Sequence, residues 1–284
     1  MLMRRRKMLR NPLMAIGALG VLIFTSVAIF ADIIQPYPED SKGAVHVEER
    51  LAPPSANHWF GTTELGRDVF SLVVAGSRIS LVIGLITATA AVAIGGALGV
   101  IAGLAGGWLE ELIMRVTDLV LCFPVLLLAM AITSALGPSL TNAMIAVAAS
   151  WWPSYCRLAR SEVVSVKQRT YVESARAIGV SWLRLVIWHI LPNIASVIVV
   201  NLTLDIGLII LTTSSLSFLG LGAQPPTPEW GLLVTTGRVQ FLTQWWIVTF
   251  PGLALFLVVL SFNLLGDGLR EIMDPKLRHK GLGA

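Results

Sequence analysis

A succession of uncharged apolar runs, each near the length that crosses a bilayer, limits this chain more than any other feature. Leu13 to Ala31 runs for 19 residues without a charged side chain, and a helix needs ~20 apolar residues to span a hydrocarbon core of ~30 Å. Comparable runs cover Arg78 to Leu104, Leu112 to Leu136, Leu140 to Trp152, Ile194 to Leu219 and Trp245 to Leu265. Composition agrees: 55% of the 284 residues are hydrophobic and 13% charged, where a soluble domain carries about 25% charged residues. The expected class is an all-α integral membrane protein with six transmembrane helices. The basic start followed by a greasy run also fits a signal peptide. An h-region is only ~7–15 residues long, however, and Ile29 spoils a small-x-small cleavage pattern ending at Ala31, so the first run is expected to stay as a span.

The connectors have their own chemistry. Asp32 to Ser77 is rich in proline (Pro36, Pro38, Pro53, Pro54) and acids (Asp32, Glu39, Asp40, Glu48, Glu49, Glu64, Asp68). It is too short and too poor in apolar residues to form its own core, and reads as a loop with one surface helix near Leu65 to Val74. In the second span Gly95, Gly99, Gly103 and Gly107 recur at every fourth position, which lays a glycine face along a helix for close packing. Arg115 and Asp118 stand at i, i+3, where they can pair on one face. Pro124 is a candidate kink in the third span, and the fourth is expected to end around Pro153 to Arg157. Pro225, Pro226 and Pro228 stiffen the connector Gly220 to Thr243, and Pro251 falls inside the sixth span.

Lys and Arg give the orientation. With the N-terminus inside, 16 of the 21 basic residues fall on the inner side and 5 on the outer, so both termini are expected to be cytoplasmic. The positive balance is therefore topological and needs no nucleic acid. The corresponding division is 1–74 for the N-terminal tail, first helix and extracytoplasmic loop, 75–268 for the transmembrane part with a cytoplasmic loop at 157–192, and 269–284 for a cytoplasmic tail.

One inner segment stands out, Thr170 to Asn193, polar and basic between two greasy runs. A short helix from Tyr171 to Ile178 meets Gly179, then Ser181, and a second amphipathic piece runs to Pro192. Glycine after a helix permits a left-handed turn and serine can cap the next amides. The segment reads as a helix–turn–helix at the membrane surface.

Catalytic patterns are missing. The sequence holds no G-x-x-x-x-G-K-[ST] phosphate loop, no H-E-x-x-H and no G-x-S-x-G, which argues against nucleotide hydrolysis by this chain. His46, His58, His189 and His279 show no local metal spacing, and Cys122 and Cys156 give no disulfide framework. Asp205 lies near the middle of the fifth span. A carboxylate there is costly and must face protein or water, so it either lines a path, with Asn201 and Thr212 on the same run, or makes a structural hydrogen bond to a neighbouring span. Without internal repeats or several intramembrane charges, a self-sufficient secondary transporter or channel is the weaker reading, and a membrane-embedded enzyme weaker still.

Several ordered motifs carry a family resemblance. Glu173-Ser174-Ala175, then Gly179, then His189-x-Leu191-Pro192 resembles the E-A-A…G…LP cytoplasmic loop of ABC importer permeases, with Ser174 in place of the usual alanine. His189 looks like the peptide-importer branch. His58 to Ser71 resembles the outer signature of the dipeptide/oligopeptide/nickel permeases in their "C" subunit, with Thr63 where aspartate is common. Met114 to Asp118, Leu216 to Gly222, Pro226 to Gly231 and Phe262 to Pro275 are likewise similar, so the resemblance covers nearly the whole chain.

The resemblance implies the type I importer permease fold and a non-catalytic subunit in a bacterial or archaeal plasma membrane. It implies a second homologous permease as heterodimer partner, two cytoplasmic ATPases that hold ATP and Mg, and an extracytoplasmic substrate-binding protein. No cofactor or metal is expected in this chain. Glu173, Ser174, Ala175, Arg176, Ala177, Gly179, His189, Leu191 and Pro192 would couple to an ATPase. Asp205, Asn201 and Thr212 are candidate path residues, and Pro226, Pro228, Glu229 and Trp230 candidate contacts for the binding protein. Dipeptides or oligopeptides are the expected cargo, with nickel chelates, glutathione or opines as alternatives.

Overall fold

The computed structural model describes residues 12–273, without the side chains of Arg176, Trp182 and Leu183. The described chain is helical, with a single isolated antiparallel bridge between Thr62 and Asp68. Nine helices of at least eight residues follow one another: α1 Pro12–Ile29, α2 Val69–Ala105, α3 Gly107–Leu121, α4 Val125–Leu136, α5 Leu140–Lys167, α6 Thr170–Ala177, α7 Leu191–Phe218, α8 Trp230–Gly237 and α9 Trp246–Met273. Helices long and apolar enough to cross a membrane are α1, α2, α9, and α7 together with the turn before it (Val186–Phe218). The pair α3 and α4 passes the same test only jointly, and it is bent by 90° at the break.

The frame is set by glycine. α2 packs most extensively on α5, and a β-carbon on Gly95 would lie 2.1 Å from the Trp152 carbonyl oxygen, on Gly99 2.3 Å from that of Cys156, and on Gly103 2.8 Å from Val163 Cβ. Only hydrogen fits there, so the two helices touch backbone to side chain along three turns. Gly107 does not continue the face. Its φ is +58°, nothing lies within 4 Å, and it opens α3 after the break at Gly106. α1 lies on α9 and α7 packs between α9 and α2, around a core that includes Ala88, Val147, Ile209, Trp230 and Val258.

Four expectations are corrected. The surface helix near Leu65 to Val74 is the first turn of α2: Asp68 is its N-cap and accepts a hydrogen bond from the Ser71 amide. The third span is broken instead of kinked, because Pro124 cannot continue α3 and caps a new helix, α4. The fourth helix does not stop at Pro153. It runs to Lys167, because the polar side chains of its C-terminal half have partners: Arg157 binds Asp118 (2.6 Å) and Arg160 binds Glu110 (2.7 Å). Those same pairings displace the expected Arg115–Asp118 contact, and Arg115 reaches back to Glu111 on its own helix.

Candidate functional site

The inner segment grows out of the fold at both ends. The Arg169 amide bonds to the carbonyl of Val166, just before α5 ends, and α6 follows at once. α6 has one apolar side. Val172 and Ala175 are buried with Val163 and Val166 of α5 and with Leu185, Ile190 and Ile194. Gly179 ends the helix with φ +80° and nothing within 4 Å of a would-be β-carbon, a turn that glycine adopts without strain. The second piece does not end at Pro192. A helical turn Trp182–Leu185 passes into a π-helical turn Val186–Ile190 and then directly into α7, where Pro192 sits in the first turn, a position that needs no amide donor.

What faces outward from this platform differs from what it buries. Glu173, Ser174, Ala177, Gly179, Leu191 and Pro192 are exposed, and His189 is half-buried with its ring 6.1 Å from that of Tyr171. Ala175 belongs to the underside and is 8% exposed. The Arg176 side chain lies outside the described residues. Ile178 (81% exposed) and Trp188 (73%) are the most exposed large apolar groups of this segment, and Ile187 and Leu191 are exposed beside them.

At the opposite end, carboxylates are buried and occupied. Asp40 takes the Asp68 amide (2.7 Å) and the His46 ring (2.9 Å). Asp68 takes the Ser71 amide (2.7 Å) and the His58 ring (3.0 Å). Arg67 donates to the carbonyls of Ala44 and Gly43. Burial raises the Asp40 carboxyl above its ordinary value, opposed by the Asp68 amide and His46. In the second connector Glu229 caps α8 through the amides of Gly231 and Leu232 and accepts from Ser214 of α7 (2.6 Å). Trp230 donates its indole N–H to the Val73 carbonyl of α2 (3.0 Å). Three of the four expected surface contacts are thereby corrected. Trp230, Glu229 and Pro228 are buried, because the indole and the carboxylate knit α8 onto α2 and α7; Pro226 is exposed.

Among the candidate path residues, Asp205 accepts a hydrogen bond from the Tyr155 hydroxyl at 2.7 Å, the structural alternative weighed for it. Tyr155 is 1% exposed and its partnership was not read from the sequence; a phenol two residues past Pro153 in a greasy run was the available signal. Asn201 donates back to the Val197 carbonyl (2.9 Å) and Thr212 to that of Leu208 (2.8 Å). Asn201 also lines a cavity of about 430 Å³ with Leu158 and Arg270, at the inner half of the seam between α5, α7 and α9; Asp205 and Thr212 do not line it.

Comparison with known proteins adds four findings. The family model described as "binding-protein-dependent transport system inner membrane component" matches residues 95–279. The probable D,D-dipeptide transport system permease protein DdpC of Escherichia coli (strain K12) is 44% identical over 94% of this chain and 88% of its own length. The glutathione transport system permease protein GsiD of Escherichia coli O6:K15:H31 is 45% identical over 96% and 89%. Among solved structures, the MetNI methionine ABC transporter in an inward-facing conformation aligns at TM-score 0.58 over 72% of this chain and 98% of that chain, with 15% identity, a likeness of fold alone.

Proposed function

The chain belongs to the family of binding-protein-dependent transport system inner membrane components, and on that premise we propose that it forms half of a membrane path for short peptides, driven by separate ATPases. Cargo of this class fits the dipeptide and glutathione names of its relatives. In this reading six segments cross the membrane, α5 included, with both termini and the 157–192 loop in the cytoplasm. A second homologous permease completes the path, two ATPases bind ATP and Mg, and an extracytoplasmic binding protein delivers the cargo to the outer connectors, where Pro226 is the exposed candidate contact.

The observation that carries the proposal is the two-sided inner platform. Its underside is fixed to α5 and α7 by Val172, Leu185 and Ile190, while Glu173, Ile178 and Trp188 are exposed. A docked ATPase would cover those apolar groups, and Glu173 would accept a charge-assisted bond from it. Because the platform continues into α7 without a loop, motion of the ATPases reaches the spans directly. Glu173→Lys tests this, since the residue is exposed and its replacement leaves the core alone. In liposomes holding the purified complex, ATP-driven uptake should fall at least tenfold while the unfolding temperature stays within about a degree. Uptake at the wild-type rate would sink the coupling role. Gly179→Leu is the poorer probe, because φ +80° strains any β-carbon.

A further inference from the structure

We propose that the inner cavity between α5, α7 and α9 is a transient cargo site in which Arg270, with Asn201, receives the carboxylate of a short peptide, about five residues inward of Asp205. This rests on the reading of the chain as a peptide permease and adds to it the end of the cargo that is recognised.

The cavity combines two donors with an apolar wall. Arg270 supplies a guanidinium and Asn201 a carboxamide whose NH₂ keeps one hydrogen beyond its bond to the Val197 carbonyl; the Ser196 hydroxyl already donates to the Asn193 carbonyl (3.1 Å), and Leu158, Leu204 and Met273 are apolar. None of the ion pairs among the described residues uses Arg270. A guanidinium beside a neutral donor matches a carboxylate in shape and charge. It does not suit an ammonium or an uncharged solute. The apolar wall suits the side chains that differ between peptides, which a permease serving several cargoes must tolerate.

The second charge lies at a matching height. A β-carbon on Gly266 would lie 2.5 Å from Leu204 Cδ2, so these two positions are level on antiparallel helices. Arg270 is one turn inward of Gly266, and Asp205 is one residue outward of Leu204. The axial offset is then about five residues, or ~7–8 Å at 1.5 Å per residue. An extended dipeptide spans ~7 Å at ~3.3–3.6 Å per residue. Asp205 accepts from the Tyr155 hydroxyl and from the Trp151 side chain, and of the roughly four lone-pair sites of a carboxylate two remain for an ammonium. A zwitterion leaving inward would pass its amine by Asp205 as its carboxylate reaches Arg270.

The test uses the purified complex in lipid nanodiscs, with Cys122→Ser removing the exposed native thiol (Cys156 is buried) and Leu158→Cys as reporter. The rate of labelling by a water-soluble maleimide is measured with alanyl-alanine, its C-terminal amide and its N-acetyl derivative. Alanyl-alanine should slow labelling at least fivefold and the amide less than twofold. Arg270→Gln should abolish protection, Arg270→Lys should keep part of it, and Asp205→Asn should lower protection by alanyl-alanine to that given by the N-acetyl derivative. Equal protection by acid and amide overturns the proposal. So does undiminished protection in Arg270→Gln, or protection without peptide that vanishes when anionic lipid is omitted, which would assign the cavity to a headgroup. If Arg270→Gln fails to assemble, the acid-against-amide comparison in the wild type decides alone. ATP-driven uptake of alanyl-alanine by the same complex separates the two readings: uptake without protection removes the cargo site only, whereas no uptake removes the peptide permease reading itself.

Discussion

Asp40, Asp68 and Glu229 at the outer end are each 1% exposed, and each accepts backbone amides of this same chain. Glu173 at the inner end is exposed on a platform whose only buried side is apolar. Both regions connect long helices, and both carry polar side chains. The outer one pairs its buried carboxylates with its own amides, hydroxyls and imidazoles. The inner one satisfies only its underside and leaves its charged face and its exposed apolar groups for something else to complete. A binding protein that comes and goes needs a preformed surface. A motor that stays attached can supply part of the fold.

Gly99→Leu should have the largest effect and mark the limit of this contrast. The helices α2 and α5 would have to part, since a β-carbon already lies 2.3 Å from a backbone oxygen, and a loss above ~3 kcal/mol is expected. Thermal unfolding in detergent should fall sharply, with both ends exposed to protease together. Asp68→Ala comes next, at about 2–3 kcal/mol, because it strips the cap from α2 and leaves the His58 ring and the Ser71 amide without their acceptor. Proteolysis should appear in the outer connectors while the inner platform stays protected; equal cleavage at both ends would deny that the outer end is self-contained. Gly179→Ala should cost ~1–2 kcal/mol for a left-handed non-glycine residue, read as roughly tenfold faster amide exchange in α6 with no change outside.

The smallest effect is a pH dependence confined to the outer end. The Asp40 carboxyl titrates above 3.8 in the folded protein because of burial. The folded state therefore holds this proton more tightly than the unfolded chain. The contribution is present in full below 3.8 and is lost as pH rises through the raised value. Stability of the outer connector should decline across that window in the wild type. Asp40→Asn, which keeps an acceptor for the Asp68 amide, should flatten the decline. A decline of equal size in that variant would place its origin elsewhere.

Much of this was legible in the residues, and the failures share a cause. The apolar runs located α1, α2, α7 and α9 because lipid imposes a length. The glycine repeat marked a close-packing face on α2, because residues four apart share one side of a helix, but it did not name α5 as the partner. Helix ends were misread wherever tertiary partners carry the polar residues: Arg157 and Arg160 look like the end of a span until Asp118 and Glu110 come round to meet them. Trp230 looks like a surface anchor in a proline-rich connector, and only the return of α2, 157 positions away in sequence, makes it core. Tyr155 and Arg270 went unremarked for the same reason, since each gains its meaning from residues on another helix.

α7 has one more property that follows from where it is held. It runs from Leu191 to Phe218, and its bond to Tyr155 is at Asp205, with 14 residues on the inner side and 13 on the outer. At 1.5 Å per residue these arms are each ~20 Å long. A rod pinned at its midpoint is an equal-armed balance. If α7 tilts as a rigid rod about the Tyr155–Asp205 bond, its two ends move in opposite directions by about equal amounts, the outer one near the Ser214–Glu229 bond. In the proposed permease such a tilt would tie opening on one side of the membrane to closing on the other.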